Sequence, residues 1–154
     1  MDSNAIFRKA AAKDLDQISN VDKAAFGTSS YPRFFIRQAF DVFGSLLEVA
    51  ELDSGNLAGY TLGAVNTDNS EEGWIISLAV RPENKNKGIG KSLTEIILKR
   101  LLKRGVKSIS LTVRPDNNDA IVLYERLGFE TQKYDEKYFG EGEGRLLMVY
   151  RKRA

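Results

Sequence analysis

The sequence predicts a single α/β domain built on a mixed sheet, with elements in the order β-α-α-β-β-β-α-β-α-β-β. Three observations lead there. An apolar run, GWIISLAV at 73–80, is bounded by Gly and Pro in the manner of a buried strand. It feeds a loop of glycines and lysines that opens a strongly amphipathic helix over 90–104. Two further strand patterns, 129–134 and 146–151, read as a closing antiparallel pair. The 154 residues suit one domain, taken as 1–154, and 42% hydrophobic content is enough for a sizeable core.

The elements follow in order. Residues 6–8 read as a short edge strand. Residues 14–25 place Leu15, Ile18 and Val21 at helical spacing, with Asp14 as the expected N-cap. A loop over 26–31 leads to Pro32, which suits the first turn of a second helix reaching Phe43, with Phe35, Ala39 and Phe43 on one face. Residues 46–52 and 57–65 are strands joined by the hairpin turn DSGN. After the apolar strand, the 90–104 helix carries Leu93, Ile97 and Leu101 on its apolar side and stops at Gly105. Residues 108–114 alternate as a strand, and 117–127 form a helix ending at Gly128. No tandem repeat or low-complexity segment interrupts this order.

Composition excludes much of protein chemistry. The chain has no Cys, hence no disulfide, no thiolate nucleophile and no Cys-type zinc site; no metal is expected. It has no His, so the usual general base near neutral pH and any Ser-His-Asp triad are absent. Proton chemistry falls to Asp, Glu, Tyr, Lys or water. Lys and Arg total 23 against 21 Asp and Glu, a net charge of +2, which argues against general nucleic-acid or membrane binding. The first residues lack the apolar core of a signal peptide, and no apolar run approaches membrane-spanning length. Together with the missing Cys, this suits a cytoplasmic protein.

The stretch RPENKNKGIGKSL at 81–93 is where phosphate chemistry is expected. A P-loop needs G-x-x-x-x-G-K-[ST], but five residues before Gly90 stands Lys85. A dinucleotide fingerprint needs G-x-G-x-x-G, and Leu93 occupies the third position after Gly88 and Gly90. What remains is common to both motifs. Free N–H groups at a helix start favour an anion, Gly88 and Gly90 let backbone approach it, and Lys85, Lys87 and Lys91 add charge. A pyrophosphate is the natural guest, with a solvated basic connection as the plainer alternative. Downstream, NNDAIVLYERLGF at 117–129 sets Asn117, Ala120 and Tyr124 on one helix face. An amide, a small residue and a phenol along one face can hold an extended ligand. The alternative is a core tyrosine with its hydroxyl at the rim.

Loop and helix together resemble the GCN5-related N-acetyltransferases. The family signature R/Q-x-x-G-x-G/A after an apolar strand reads here as KNKGIG after SLAVRP, with Lys85 where Arg or Gln is usual, and the N…A…LYE..GF helix is matched by 117–129. The resemblance implies a mixed, mostly antiparallel sheet with helices on both faces. It implies acetyl-CoA as cosubstrate, its pyrophosphate cradled by the backbone of Asn86, Lys87, Gly88, Ile89, Gly90 and Lys91, with Lys85 close by. The edge of Leu78, Ala79 and Val80 would pair with the pantetheine arm, and N–H groups near Leu78 or Ala79 would stabilise the oxyanion. Asn117 and Ala120 would lie further along the cofactor. Tyr124, with an ordinary pKa of about 10, would protonate the departing thiolate. Without Cys an acetyl-cysteine intermediate is excluded, so direct transfer is expected.

Within the family, 103–129 is similar to the ribosomal-protein alanine acetyltransferases, and KYFGEGEGRLLM at 137–148 resembles the YY-x-DGEDA-x-x-M segment of N-terminal peptide acetyltransferases. FGTSSYP at 26–32 is similar to their substrate loop, which places Tyr31 and Tyr138 beside the acceptor. Two residues depart from the pattern. Gly144 stands where Asp is expected, and Thr112 stands where the ribosomal-protein type has its general-base Glu. A peptide α-amine, with a pKa of about 7.7–8.0 against about 10.4 for Lys, is partly neutral already, so water or a distant carboxylate can serve. Glu71 and Glu72 are candidates through water, and Glu141 and Glu143 can attract a cationic acceptor; surface charge is the plainer reading of all four. The acceptor is thus a protein or peptide N-terminus, a small amine such as a polyamine, amino acid or aminoglycoside, or, with Thr112 marking lost catalysis, none at all in a CoA-binding module. Oligomeric state is left open.

Overall fold

A computed structural model describes residues 4–153. A seven-stranded sheet runs in the order β1-β2-β3-β4-β5-β7-β6, formed by β1 (Ile6–Lys9), β2 (Leu47–Glu51), β3 (Leu57–Val65), β4 (Glu72–Val80), β5 (Ser108–Val113), β6 (Glu130–Asp135) and β7 (Arg145–Arg151). Every pairing is antiparallel except β4 with β5. That parallel pair needs a crossover, and α3 (Ile89–Lys103) supplies it. The other helices are α1 (Leu15–Phe26), α2 (Arg33–Phe43) and α4 (Asn118–Arg126). Among the described residues no helix is long and apolar enough to cross a membrane.

The helices cover both faces. Leu15, Ile18 and Val21 of α1 and Ile36 and Ala39 of α2 pack with Leu47, Val49, Tyr60, Leu62 and Ala79 on one side. On the other, Ile97, Leu98 and Leu101 of α3 and Tyr124 of α4 pack with Ile109, Leu111 and Met148. Strand alternation divides β2 accordingly: Leu47 and Val49 face α1 and α2, while Glu48 turns to the α3 face and pairs with Arg100.

Asp14 departs from its expected role. Its side chain makes no capping bond to α1. Instead Oδ2 accepts the Ala11 N–H at 2.7 Å and the carboxylate binds Arg8, closing a tight turn before the helix. The Arg8 guanidinium holds this carboxyl below its ordinary value, with burial opposing.

α3 lies close on β3, and Gly63 permits it. A Cβ there would fall 2.9 Å from Ile97 Cγ1. Gly63→Ala should therefore cost about 1–3 kcal/mol through overpacking. Urea unfolding is expected to show a lower midpoint with an unchanged slope.

Candidate active site

β4 and β5 join only through Glu72↔Ser108, Gly73↔Ile109 and Trp74↔Ser110. Past Trp74 they separate, and a gap opens between them. β4 stays on β3 as far as Val80 and β5 stays on β7 as far as Val113, so both banks of the gap are rigid. The separation has a local origin. Leu62 pairs with Ser77 but Gly63 with Ile75, which leaves Ile76 as an extra residue in β4. Such a bulge bends its strand, and it lies where the β5 pairing has just ended.

The free edge of β4 follows from alternation. Arg81 N–H donates to Ala58 O at 2.8 Å, and Ala79 is paired with Tyr60. Successive residues direct their backbone groups to opposite neighbours. Ala79 and Ser77 therefore address β3, while Leu78 and Val80 address the gap. An extended ligand can add there as a strand. The expectation for Ala79 is corrected: its N–H is taken up by β3, and Leu78 is the oxyanion donor the geometry offers.

The loop after β4 turns sharply into α3. Asn86 (φ 64) and Gly88 (φ 81) adopt left-handed backbone, the second at the helix N-cap. Where a Cβ of Gly88 would sit there is no atom within 4 Å, so the helix start faces an open cradle. Ile89 is buried at 1% exposure and anchors the turn, so it can offer a ligand only its backbone. The first amides of α3 have no intrahelical acceptor. Lys85, Lys87 and Lys91 are all exposed around them. At Gly90 a Cβ would meet Leu123 of α4 at 3.5 Å and Val80 of β4 at 3.7 Å, which marks the meeting point of three elements.

α4 supplies the far wall. Asn117 is its N-cap: Oδ1 accepts the Ala120 N–H at 3.2 Å. Half of the amide is thereby explained as capping, and its Nδ2 is what remains for a ligand. Ala120 is half-buried on the same face. Tyr124 is 6% exposed, its ring against Phe129 at 5.5 Å. Its hydroxyl has no hydrogen-bond partner among the described residues and is not sealed from solvent. Burial alone pushes the phenol well above its ordinary value. Tyr124 thus matches the plainer of its two sequence readings, a core ring with its hydroxyl at the rim.

Comparison with known proteins agrees with this geometry. Residues 12–129 match the model of the acetyltransferase (GNAT) family. The chain belongs to this family. It is 35% identical over 148 residues to an uncharacterized N-acetyltransferase of Methanocaldococcus jannaschii, covering 96% of this chain and 92% of the relative. It is 29% identical over 152 residues to an N-alpha-acetyltransferase of Sulfurisphaera tokodaii, covering 92% and 90%. In fold it is similar to Ard1 from Thermoplasma volcanium, with a TM-score of 0.88 at 20% identity, over 99% of this chain and 100% of the other.

The acetyltransferase uses acetyl-CoA as its acetyl donor, and the donor set fits that molecule: a free strand edge for an amide-bearing arm and an open, basic helix start for a pyrophosphate. Among the described residues no group of acidic side chains is arranged to hold a metal.

On the α1–α2 side of the gap, Tyr31 is fixed at three points. Its N–H donates to Asp22 Oδ2 at 2.7 Å, its ring stacks on Phe35 at 4.5 Å, and its hydroxyl lies 3.4 Å from the carbonyl of the bulged Ile76. Burial and the Asp22 carboxylate raise this phenol, while Arg145 opposes and Tyr138 adds to the shift. Tyr138 meets Phe139 edge-on at 4.7 Å, and Arg145 lies 4.9 Å over the Phe139 ring.

Each acidic candidate is already engaged. Glu71 pairs with Lys107, and Glu72 accepts the Trp74 indole N–H at 2.6 Å; both sit where β4 and β5 are still joined. Glu141 pairs with Lys137 and Glu143 with Arg145. Gly144 also has a physical account. A Cβ there would lie 2.9 Å from Glu136 O and closer still to the Tyr134 hydroxyl, so the Asp of the family pattern has no room. Thr112 is a half-buried β5 residue paired with Leu147.

Sequence reasoning missed one group altogether. Asp22, Tyr60 and Ser77 are buried together beside Tyr31. A signal was present: Asp22 stands at i+4 from Ile18 and i+7 from Leu15, on the apolar stripe of its helix.

Proposed function

We propose that this acetyltransferase transfers acetyl from acetyl-CoA directly to the α-amine of a protein or peptide N-terminus. The observation that carries the reading is Tyr31, held by Asp22 and Phe35 with its hydroxyl 3.4 Å from the carbonyl of Ile76, the bulge beside which the gap opens. The similarity to an N-alpha-acetyltransferase over nearly the whole of both chains supports it. The proposal takes 1–154 as one catalytic domain working in the cytoplasm.

Bound acetyl-CoA would supply an activated thioester. The amides of residues 86–91, with Lys85, Lys87 and Lys91, would hold its phosphates. Leu78 and Val80 would pair with its arm, and Asn117 Nδ2 and the Ala120 surface would line its path. Leu78 N–H would stabilise developing negative charge on an oxygen in the gap. Tyr124, kept protonated by burial, holds a proton at the rim for a leaving sulfur. Tyr31 and Tyr138 would orient the first residues of the acceptor.

Turnover of Ser-, Ala- and Met-starting peptides beside a panel of polyamines and free amino acids tests the acceptor. Acetylated peptide as the main product is expected. Fast acetylation of small amines with no peptide product would reject this acceptor while leaving the donor site in place. Tyr31→Ala and Tyr138→Ala should each raise the apparent KM for peptide about tenfold, a loss of about 1.4 kcal/mol, and leave acetyl-CoA binding unchanged by calorimetry.

A further inference from the structure

Asp22 on α1 and Tyr60 on β3 are both fully buried. The Tyr60 hydroxyl donates to Asp22 Oδ1 at 2.7 Å and lies 2.8 Å from Ser77 Oγ. With the phenol proton committed to the carboxylate, Ser77 must be the donor in the second bond. The chain therefore has one direction, Ser77 to Tyr60 to Asp22, and it leaves the lone pairs of Ser77 to accept. Ser77 adjoins the Ile76 bulge that opens the gap. Tyr31 spans the assembly, with its N–H on Asp22 and its hydroxyl on the Ile76 carbonyl.

Among the described residues no cation pairs with this buried carboxylate. The groups facing it are Tyr60 from β3, with Ser77 of β4 behind that phenol, and Tyr31 from the α1–α2 loop; the charges of Arg145 and Tyr138 act on the Tyr31 phenol. Burial is the largest influence on Asp22 and raises its pKa, with the bonds from Tyr60 and Tyr31 opposing. An uncompensated buried carboxylate is costly, and a packing role would be met as well by a neutral side chain.

We propose that Ser77, Tyr60 and Asp22 form a proton relay that takes a proton from the acceptor ammonium, filling the role that Thr112 cannot. This rests on the acceptor entering on the Tyr31 side. An N–H bond of the ammonium breaks as Ser77 Oγ gains that proton. Ser77 passes its own proton to Tyr60, and Tyr60 passes its proton to Asp22, which becomes a neutral acid. The free amine is left to attack. After product leaves, Asp22 returns the proton to water by the reverse path, the net proton the overall reaction releases.

Ser77→Ala tests the relay with little disturbance, because Tyr60 keeps its bond to Asp22. The readout is kcat/KM against pH with a peptide acceptor. Wild type is expected to reach its plateau below the acceptor's own pKa of about 7.7–8.0. Ser77→Ala should lose about tenfold near pH 6.5, rise with the free amine, and meet wild type above about pH 9. Its KM for acetyl-CoA and its melting curve should be those of wild type, and Ser77→Thr should restore the wild-type profile. Tyr60→Phe should reproduce the same shifted limb. A Ser77→Ala profile identical to wild type, or lowered equally at every pH, overturns the relay. If only small amines are acetylated, the peptide reading fails and the same profile, run on the amine that is turned over, decides the relay separately.

Discussion

Tyr124→Phe is expected to lower turnover roughly 100-fold or more while leaving acetyl-CoA affinity unchanged. The substitution keeps the ring that packs on Phe129 and removes only a hydroxyl with no protein hydrogen bond among the described residues. Folding should therefore be nearly untouched, since no buried partner is left unsatisfied. Burial raises the phenol, so it is a neutral donor throughout the working range. A leaving thiolate in the same water-poor rim is disfavoured as an ion for the same reason, which keeps the transfer matched. Single-turnover kinetics isolate the step. Wild-type turnover in Tyr124→Phe would assign the residue to packing alone.

Gly88→Asp should weaken acetyl-CoA binding about 100-fold, or about 2.8 kcal/mol. The residue has φ 81, a left-handed conformation that Asp tolerates better than most side chains, so the loss falls on binding. The new carboxylate would enter the cradle at the positive end of α3, where it competes with phosphate for the same amides. The space at Gly88 is open, so the ligand-free fold should survive. Gly90→Ala is the control, because its Cβ would meet Leu123 at an ordinary 3.5 Å and a smaller effect is expected. Calorimetry with acetyl-CoA reads both. Unchanged affinity in Gly88→Asp would remove the loop from the donor site.

Much of this architecture was legible before any coordinates. The helix over 90–104 and its stop at Gly105 carry their own signals in spacing and in a glycine that adopts φ 93. The DSGN hairpin, Pro32 ahead of α2 and Gly128 after α4 are equally local. The sharp turn from Lys85 to Lys91 into an open helix start was legible because a strand, a glycine turn and a helix start are contiguous in sequence. Asn117 was read for ligand binding when its first task is a cap, an error of emphasis, since both uses call for the same amide.

What escaped sequence reading depends on partners far apart in the chain. The run at 73–80 announces a strand but not the bulge at Ile76, because a bulge is defined by the register of β3 against it. The gap past Trp74, and with it the turn of Leu78 toward the gap and Ala79 toward β3, exists only once β5 has been brought alongside by α3. Asp14 and Glu72 were open to other roles until Arg8 and Trp74 were seen to occupy them. Asp22, Tyr60 and Ser77 are 38 and 17 residues apart in sequence and within hydrogen-bond reach in space. Local spacing determined the elements and the glycine turn into α3, because backbone propensity and periodicity act within a few residues. Pairing register and burial decided which backbone groups are free and which carboxylate is desolvated, because both arise only when distant segments exclude water from one another.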